Sequence, residues 1–464
     1  MAFLSRHYIG GLPLAFRLRS RRWDNGPIPS PPNFLNDLMN APETSAGAAA
    51  LDSLIARHAD RLNEKVIAWR RDLHAHPELG NREVRTAKVV ADHLRSLGLD
   101  DIREQVAYTG VVGVLKGAKP GPCVALRADM DALPVTEETD VPFKSTVRAQ
   151  WNGAEAGVMH ACGHDTHVAI LMGVAEILAG LREHIHGSVK FLFQPAEETP
   201  PLGEEGGAKL MIEQGCMQNP PVDAVFGLHI TSKLNTNRIG YRSGPLMASA
   251  DRFRIFIRGE QTHGAQPWSG VDPIVVGSQV VLGLQTIVSR KMNLPEEPSV
   301  VTVGTFHAGN RNNIIPDDAQ MEGTIRAFDE QHRKDIHQFV EKITTLIAES
   351  GGAKAKVHID PGYPVTINDA ALTDWSVPVL KRAAGEANVG ICPKTCGAED
   401  FSYFQREVPG FFFFIGCTPP DQDCKYAPSN HSPRFYVDEG GLKVGVRAMA
   451  TLALEWLAHP HAKA

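Results

Sequence analysis

At 464 residues the chain exceeds what one hydrophobic core supports and predicts two or three domains. With 43% hydrophobic and 22% charged residues, the composition excludes a disordered or fibrous protein. A net charge of −6, from 53 acids interspersed with 47 bases, excludes a basic nucleic-acid surface, and no apolar run reaches the ~18–20 residues of a membrane span.

The chain opens on "MAFLSRHYIGGLPLAFRLRSRRWDNG", which carries Arg6, Arg17, Arg19, Arg21 and Arg22 with no acid before Asp24. Residues 1–47 are expected to form a disordered extension; the alternative is a mitochondrial transit peptide. Seven cysteines, an odd number thinly spread, argue against a disulfide framework and for a reducing compartment, so the cytoplasm is the expected location.

Apolar residues at helical spacing predict helices over Ala48 to Leu73 and Val84 to Leu97. "VVGVL" and "CVALRADM" then predict buried strands, followed by a helix from about Thr166 to Leu181, the strand "SVKFLFQPAEE", a helix near Lys209 to Gln214 and the strand "AVFGLHI". Such alternation implies an α/β fold whose mainly parallel sheet is covered on both faces. After Gly244 the order becomes strand ("DRFRIFIRG"), helix (Pro273 to Lys291), strand pair ("SVVTVGTFHAG", "AQMEGTIRAF"), helix (Asp329 to Glu349) and strand ("AKVHID"). This β-α-β-β-α-β order predicts a ferredoxin-like α+β domain at 245–361, inserted into a discontinuous domain at 48–244 and 362–464. The run "GFFFFIG" reads as a buried strand.

In "HACGHDTHVAI", Cys162 and His164 are two apart, so an extended backbone would put them on one side just before a helix. At the edge of an open sheet a thiolate and an imidazole are good ligands for a borderline metal such as zinc. Taken alone, the triplet fits a polar turn with a buried cysteine better than a ligand pair, and a thiol nucleophile with His164 as its base is a rival reading. "FQPAEE" sets Glu197 and Glu198 directly after an apolar strand, where adjacent side chains point different ways. One carboxylate can therefore hold a metal while the other faces water, a division suited to metal-assisted hydrolysis. "GLH" puts His229 at a strand end, and "SNHSP" puts His431 in a loop after the phenylalanine strand. Each signal is weak by itself; all four are predicted at strand ends or in loops, and their convergence is the argument.

The segments "RRDLHAHPELG", "LRADMDALPVTEET", "MHACGHDTHVAILMGVAEIL", "FQPAEE", "FGLH", "THGAQPWSGVDPI", "NIIPD", "GTIRAFD" and "GAEDFSYF" resemble, in this order, the amidohydrolase branch of the aminoacylase and carboxypeptidase metallopeptidases. That branch includes hippurate hydrolase, N-acyl-L-amino-acid amidohydrolases and plant hydrolases of indoleacetyl-amino acids. The resemblance, from about Leu54 to Leu457, implies a two-domain metallopeptidase with a lid or dimerisation domain, acting on N-acyl amino acids as a homodimer or higher oligomer. It implies that Cys162, His164, Glu198, His229 and His431 bind two divalent ions, Mn or Zn, with Co or Ni as alternatives, and that the Cys162 thiolate bridges them. Glu197 is implied as general base and Asp131 as the residue orienting the site, with Asp129 structural and His160 and His167 supporting. His263 is implied to stabilise the oxyanion, in many relatives from a neighbouring subunit, and Asn313 and Arg326 to bind substrate. A dipeptidase or carboxypeptidase on the same scaffold is the alternative activity. Two insertions, "AQWNGAEAGV" and "TPPLGEEGGAK", flank the metal loops and are expected to shape the acyl pocket.

Overall fold

The alternation read from the sequence is carried through in a computed structural model, which describes residues 45–198 and 200–460. The expected N-terminal extension or transit segment lies outside the described residues up to 44, and its boundary at 47 falls inside the helix Ser45–Ala75. The central sheet runs in the order Asp101–Val106, Gly110–Lys116, His186–Gln194, Lys119–Asp129, Ala224–Asn235, Gly410–Thr418, Ile239–Tyr241 and Val389–Ile391. From His186–Gln194 to Gly410–Thr418 neighbours are parallel, and antiparallel pairings join this middle to the outer strands. The class is α/β with a mixed, mainly parallel sheet.

The phenylalanine run shows why its sequence is continuously apolar. Phe411 and Phe413 stack at 5.7 Å under one face, whereas Phe412 lies 4.9 Å from Phe401 on the other. Successive strand side chains leave opposite faces, and a sheet covered on both needs apolar groups at every position. The Phe411 face carries the helices His164–Gly180 and Leu442–Ala458, where Gly445 abuts Ile170 and Ile415. The short helices Gly207–Glu213 and Phe401–Glu407 cover the other through Met211, Phe401 and Phe404.

Residues 251–361 build a second, four-stranded sheet in the order Ser299–Ala308, Asp318–Ala327, Asp251–Arg258, Lys354–Pro361, antiparallel throughout. Helices Pro273–Arg290 and Glu330–Ser350 pack on it around Phe253, Ile255, Val280, Leu284, Ile336 and Val340. Strand order and connection are those of the ferredoxin-like arrangement. The chain enters and leaves this unit side by side, with Ala250 N–H donating to the Tyr363 carbonyl at 3.0 Å.

Asp251, buried at the entry strand, accepts from Arg333 (2.9 Å to Nε), His337 (2.8 Å) and the Gly362 N–H (3.0 Å). Burial acts to raise its pKa, but these donors bring it down to about 2. A carboxylate held below its unfolded pKa stabilises the fold above about pH 4, and that contribution is lost as pH falls toward 2. Asp251→Asn leaves the Arg333 guanidinium with only its longer, 3.3 Å pairing to Glu330. The variant is expected to lose about 3–5 kcal/mol in a denaturant titration near neutral pH, and to flatten the acid limb of the stability curve.

Candidate metal centre

The sequence-predicted ligands are brought together by one strand exit (Glu198), one mid-strand position (His229), the turn and helix start at Cys162 and His164, and one remote loop (His431). Strands Lys119–Asp129 and His186–Gln194 finish level, Asp129 pairing with Gln194, so Asp131 and the turn Pro195–Glu198 leave the sheet side by side. His229 lies mid-strand in Ala224–Asn235, not at a strand end as expected. The neighbouring Lys119–Asp129 strand pairs with this one only as far as Gly227, so the sheet has already opened on that side when His229 is reached.

The extended Cys162–His164 segment is also corrected. Gly163 has φ +92° and His164 is the first residue of the helix, so a left-handed turn rather than a strand sets the two side chains together. A Cβ at Gly163 would sit 2.3 Å from the Ile230 side chain, which excludes any larger residue. His431 arrives on a loop whose N–H donates to the Ala161 carbonyl at 2.8 Å, while Asn430 Nδ2 donates to the Cys162 and Ile230 carbonyls.

Cys162 Sγ is 3.3 Å from His229 Nε2 and 3.3 Å from His431 Nε2, and His431 Nε2 is 2.8 Å from Glu198 Oε1. Cys162 groups with His164 and His229 on one side and with Glu198 and His431 on the other, ligand atoms in each group lying within 4.8 Å of one another. Partners behind the rings hold one nitrogen of each and leave the other for the centre. His164 Nδ1 meets Asp131 Oδ1 at 3.1 Å and His229 Nδ1 donates to the Ile230 carbonyl at 2.6 Å. His164 Nε2 is buried without a hydrogen bond, its nearest charged neighbour Asp129 Oδ2 at 3.7 Å, and Glu198 Oε1 meets only the His431 ring, itself a candidate ligand, the condition of atoms shaped for a cation. Asp131 also accepts the Glu198 N–H at 2.9 Å, tying both loops.

His167 is not free in this way: Nδ1 meets Asp129 at 2.5 Å and Nε2 accepts the Ile230 N–H at 2.8 Å. Asp129 is further engaged by Arg127. His160 is buried with both ring nitrogens unpartnered, and burial pulls its pKa to about 4.

Burial, then the charges of Glu198 and Glu197, push the Cys162 thiol well above its usual range. Burial, then Glu399, Glu198 and Asp400, holds the Glu197 carboxyl well above the carboxylate range. Burial acts against the charged His164 ring, but Asp129 and Asp131 raise it to about 10. Glu198 goes the other way, its His431 and His164 neighbours outweighing burial. This is a negative pocket, and it suits cations. A catalytic cysteine needs the opposite, an electropositive setting that lowers its pKa.

The centre floors a cleft of about 840 Å³ that Arg326, Tyr363, Met247, Phe414 and Glu399 also wall. No carboxylate lies within ion-pair distance of the half-buried Arg326 guanidinium among the described residues. His263 and Asn313 do not line this cleft; both are exposed and adjacent, with Gly264 N–H donating to the Asn313 carbonyl at 2.8 Å. The two insertions do not line it either among the described residues. "AQWNGAEAGV" forms the hairpin Arg148–Trp151 and Ala154–Gly157, and Glu204 of "TPPLGEEGGAK" is spent on Arg82 and Asn81.

Sequence reasoning missed Arg127 and Glu399. Arg127 is wholly buried and donates to Gln194 Oε1 (2.8 Å) and Asp129 (2.8 Å), with Nη2 2.9 Å from both Glu399 and Asp400. Glu399 in turn lies within 4.8 Å of Glu197 and Asp400. A lone arginine inside the apolar strand "CVALRADM" was the available signal, since a buried guanidinium requires acids around it.

The sequence profile of peptidase family M20/M25/M40 matches residues 125–455. The chain belongs to this family. As an M20 peptidase relative it is a hydrolase of amide bonds. It is 43% identical over 397 residues to thermostable carboxypeptidase 2 of Saccharolobus solfataricus, covering 85% of this chain and 96% of that one. It is 45% identical over 314 residues to an N-acyl-L-amino acid amidohydrolase of Geobacillus stearothermophilus, covering 68% of this chain and 80% of that one. Among solved M20 structures, the YXEP protein of Bacillus subtilis, described as a dinuclear metal-binding peptidase, superposes with a TM-score of 0.72 at 34% identity, over 86% of this chain and 99% of the other.

Proposed function

We propose that this M20 hydrolase cleaves N-acyl amino acids to a carboxylate and a free amino acid, with two divalent ions held by Cys162, His164, Glu198, His229 and His431. The observation that carries this reading is the meeting of those five side chains around one sulfur, their ligand atoms contacting chiefly one another and His164 Nε2 buried without a hydrogen bond. When bound, such ions act as Lewis acids and lower the pKa of water. They also offset the mutual repulsion of Glu197, Glu198 and Glu399. Manganese or zinc suits this sulfur, oxygen and nitrogen set, with cobalt and nickel as alternatives.

Glu197 takes a proton from the attacking water onto its carboxylate and returns it to the departing amine nitrogen. Arg326 offers an unpaired fork of N–H donors for the carboxylate of the amino-acid half, and Asn313 a further amide. His263 donates to the oxyanion from the second subunit of a homodimer, with residues 245–361 as the lid and dimerisation domain. Asp131 orients His164 and the Glu198 loop. The seven free thiols fit a reducing compartment, the cytoplasm, with a mitochondrial address as the alternative.

Carboxypeptidase activity is the second reading, favoured by the 43% identity to a carboxypeptidase and by the fact that Arg326 would serve a peptide C-terminus equally. Turnover of N-benzoyl, N-acetyl and indoleacetyl amino acids against plain dipeptides, with added Mn or Zn, separates the two. Stripping metal with a chelator is expected to abolish turnover on every substrate, and adding either ion back to restore it. Activity that survives the chelator sinks the metal reading.

A further inference from the structure

The turn that carries Glu197 is held by its backbone at three successive residues. Ala196, at φ +50°, is a non-glycine residue in the left-handed region, and its N–H donates to buried Glu83 Oε1 at 2.8 Å. The Glu198 N–H donates to Asp131 at 2.9 Å. Between them, the Glu197 carbonyl accepts the Tyr363 hydroxyl. The first two holds come from the large domain itself, Glu83 at the start of the helix Val84–Ser96 and Asp131 just after the strand Lys119–Asp129. The third does not.

Tyr363 lies in the segment where the chain returns from the four-stranded unit to the central sheet. Its carbonyl accepts the Ala250 N–H of the outgoing strand at 3.0 Å, and the preceding Gly362 is bound by Asp251, Arg333 and Tyr403. The Tyr403 ring meets the Tyr363 ring edge-on at 6.2 Å, fixing its direction. The phenol is half-buried in the cleft wall, one face toward substrate space. A single hydroxyl therefore joins the double crossover between the two sheets to the peptide of Glu197.

We propose that Tyr363 is a positioning residue for Glu197, one that ties the reach of its carboxylate to the placement of the four-stranded unit over the cleft. This rests on Glu197 being the base. A left-handed peptide pinned on both sides has little freedom except rotation of the carbonyl between the pins, and that rotation swings the Glu197 side chain. The Tyr363 hydroxyl blocks it. When the four-stranded unit shifts, the crossover shifts with it, and the base follows.

The test compares Tyr363→Phe, Tyr403→Phe and Glu197→Gln with the parent, each loaded with manganese and assayed on the best substrate of the amide panel. Tyr363→Phe deletes one hydroxyl and keeps the ring. It is expected to lower kcat about 10–100-fold with KM nearly unchanged, and to keep the parent's metal content and melting temperature. Tyr403→Phe removes one 3.3 Å hydrogen bond to the Gly362 carbonyl, which Arg333 still holds, and keeps both rings and the Tyr363–Glu197 contact, so it is expected to keep kcat within about twofold, below what loss of alignment produces. Parent-like kcat in Tyr363→Phe, with Glu197→Gln inactive, overturns the positioning role and leaves the base intact. An equal fall in Tyr403→Phe also overturns it, since general loosening then suffices. If Glu197→Gln itself keeps turnover, the base reading falls and the positioning role falls with it.

Discussion

Glu197→Gln is expected to keep its full complement of metal and to lose about 10²–10⁴-fold in kcat. The side chain keeps its shape, its place in the turn and one acceptor oxygen; only the capacity to carry a proton is removed. None of the five proposed ligands changes, so metal content is the control. The surroundings of Glu197 explain why the loss should be large. Glu399, Glu198 and Asp400 all press on the same carboxylate, while Arg127 beneath them partly compensates. A carboxylate raised by burial and by its neighbours is a stronger base than one free in water, and cations bound in the centre would bring it back toward the ionised form at working pH. A variant that stays within a few-fold of the parent places the base elsewhere.

His263→Ala is expected to cost about 10²–10³-fold in turnover while leaving metal content and melting temperature unchanged. The imidazole is exposed in this chain, its Nδ1 accepting the Ala265 N–H at 3.0 Å, and it is absent from the cleft wall. A residue so placed can act on substrate only if it is carried into a cleft, and the proposed carrier is a second copy of the chain. That gives a sharper form of the test. Mixing inactive His263→Ala with inactive Glu197→Gln and allowing subunits to exchange should restore part of the turnover, because mixed dimers hold one site with both groups. No recovery from mixtures shown to exchange removes the trans arrangement, and unchanged kinetics in His263→Ala alone remove the residue from the mechanism.

Much of this was legible in the residues. The period of the apolar pattern marked the helices and strands, because burial on one or both faces imposes that period directly. The ferredoxin-like order followed from the alternation after Gly244, and the strand order of the second sheet agrees with it. Local errors have local causes. Spacing alone cannot register the left-handed Gly163 that turns the Cys162–His164 pair out of an extended line, and His229 lies mid-strand because the strand's length depends on its partners. The two insertions looked like pocket walls by proximity along the chain; folded, one is a hairpin on Leu79 and Ala132 and the other pairs with Arg82.

The amino-acid order determined by itself the class of the fold and the family, and named the candidate ligand residues, since each depends on patterns or motifs contiguous along the chain. Only the folded structure decided that those donors share one sulfur, that His164 Nε2 is left without a hydrogen bond, that Arg127 and Glu399 lie beneath Glu197, and that Tyr363 reaches its carbonyl. Each of these joins residues far apart in the chain, and such distances are set by strand register and helix packing, which no single stretch contains.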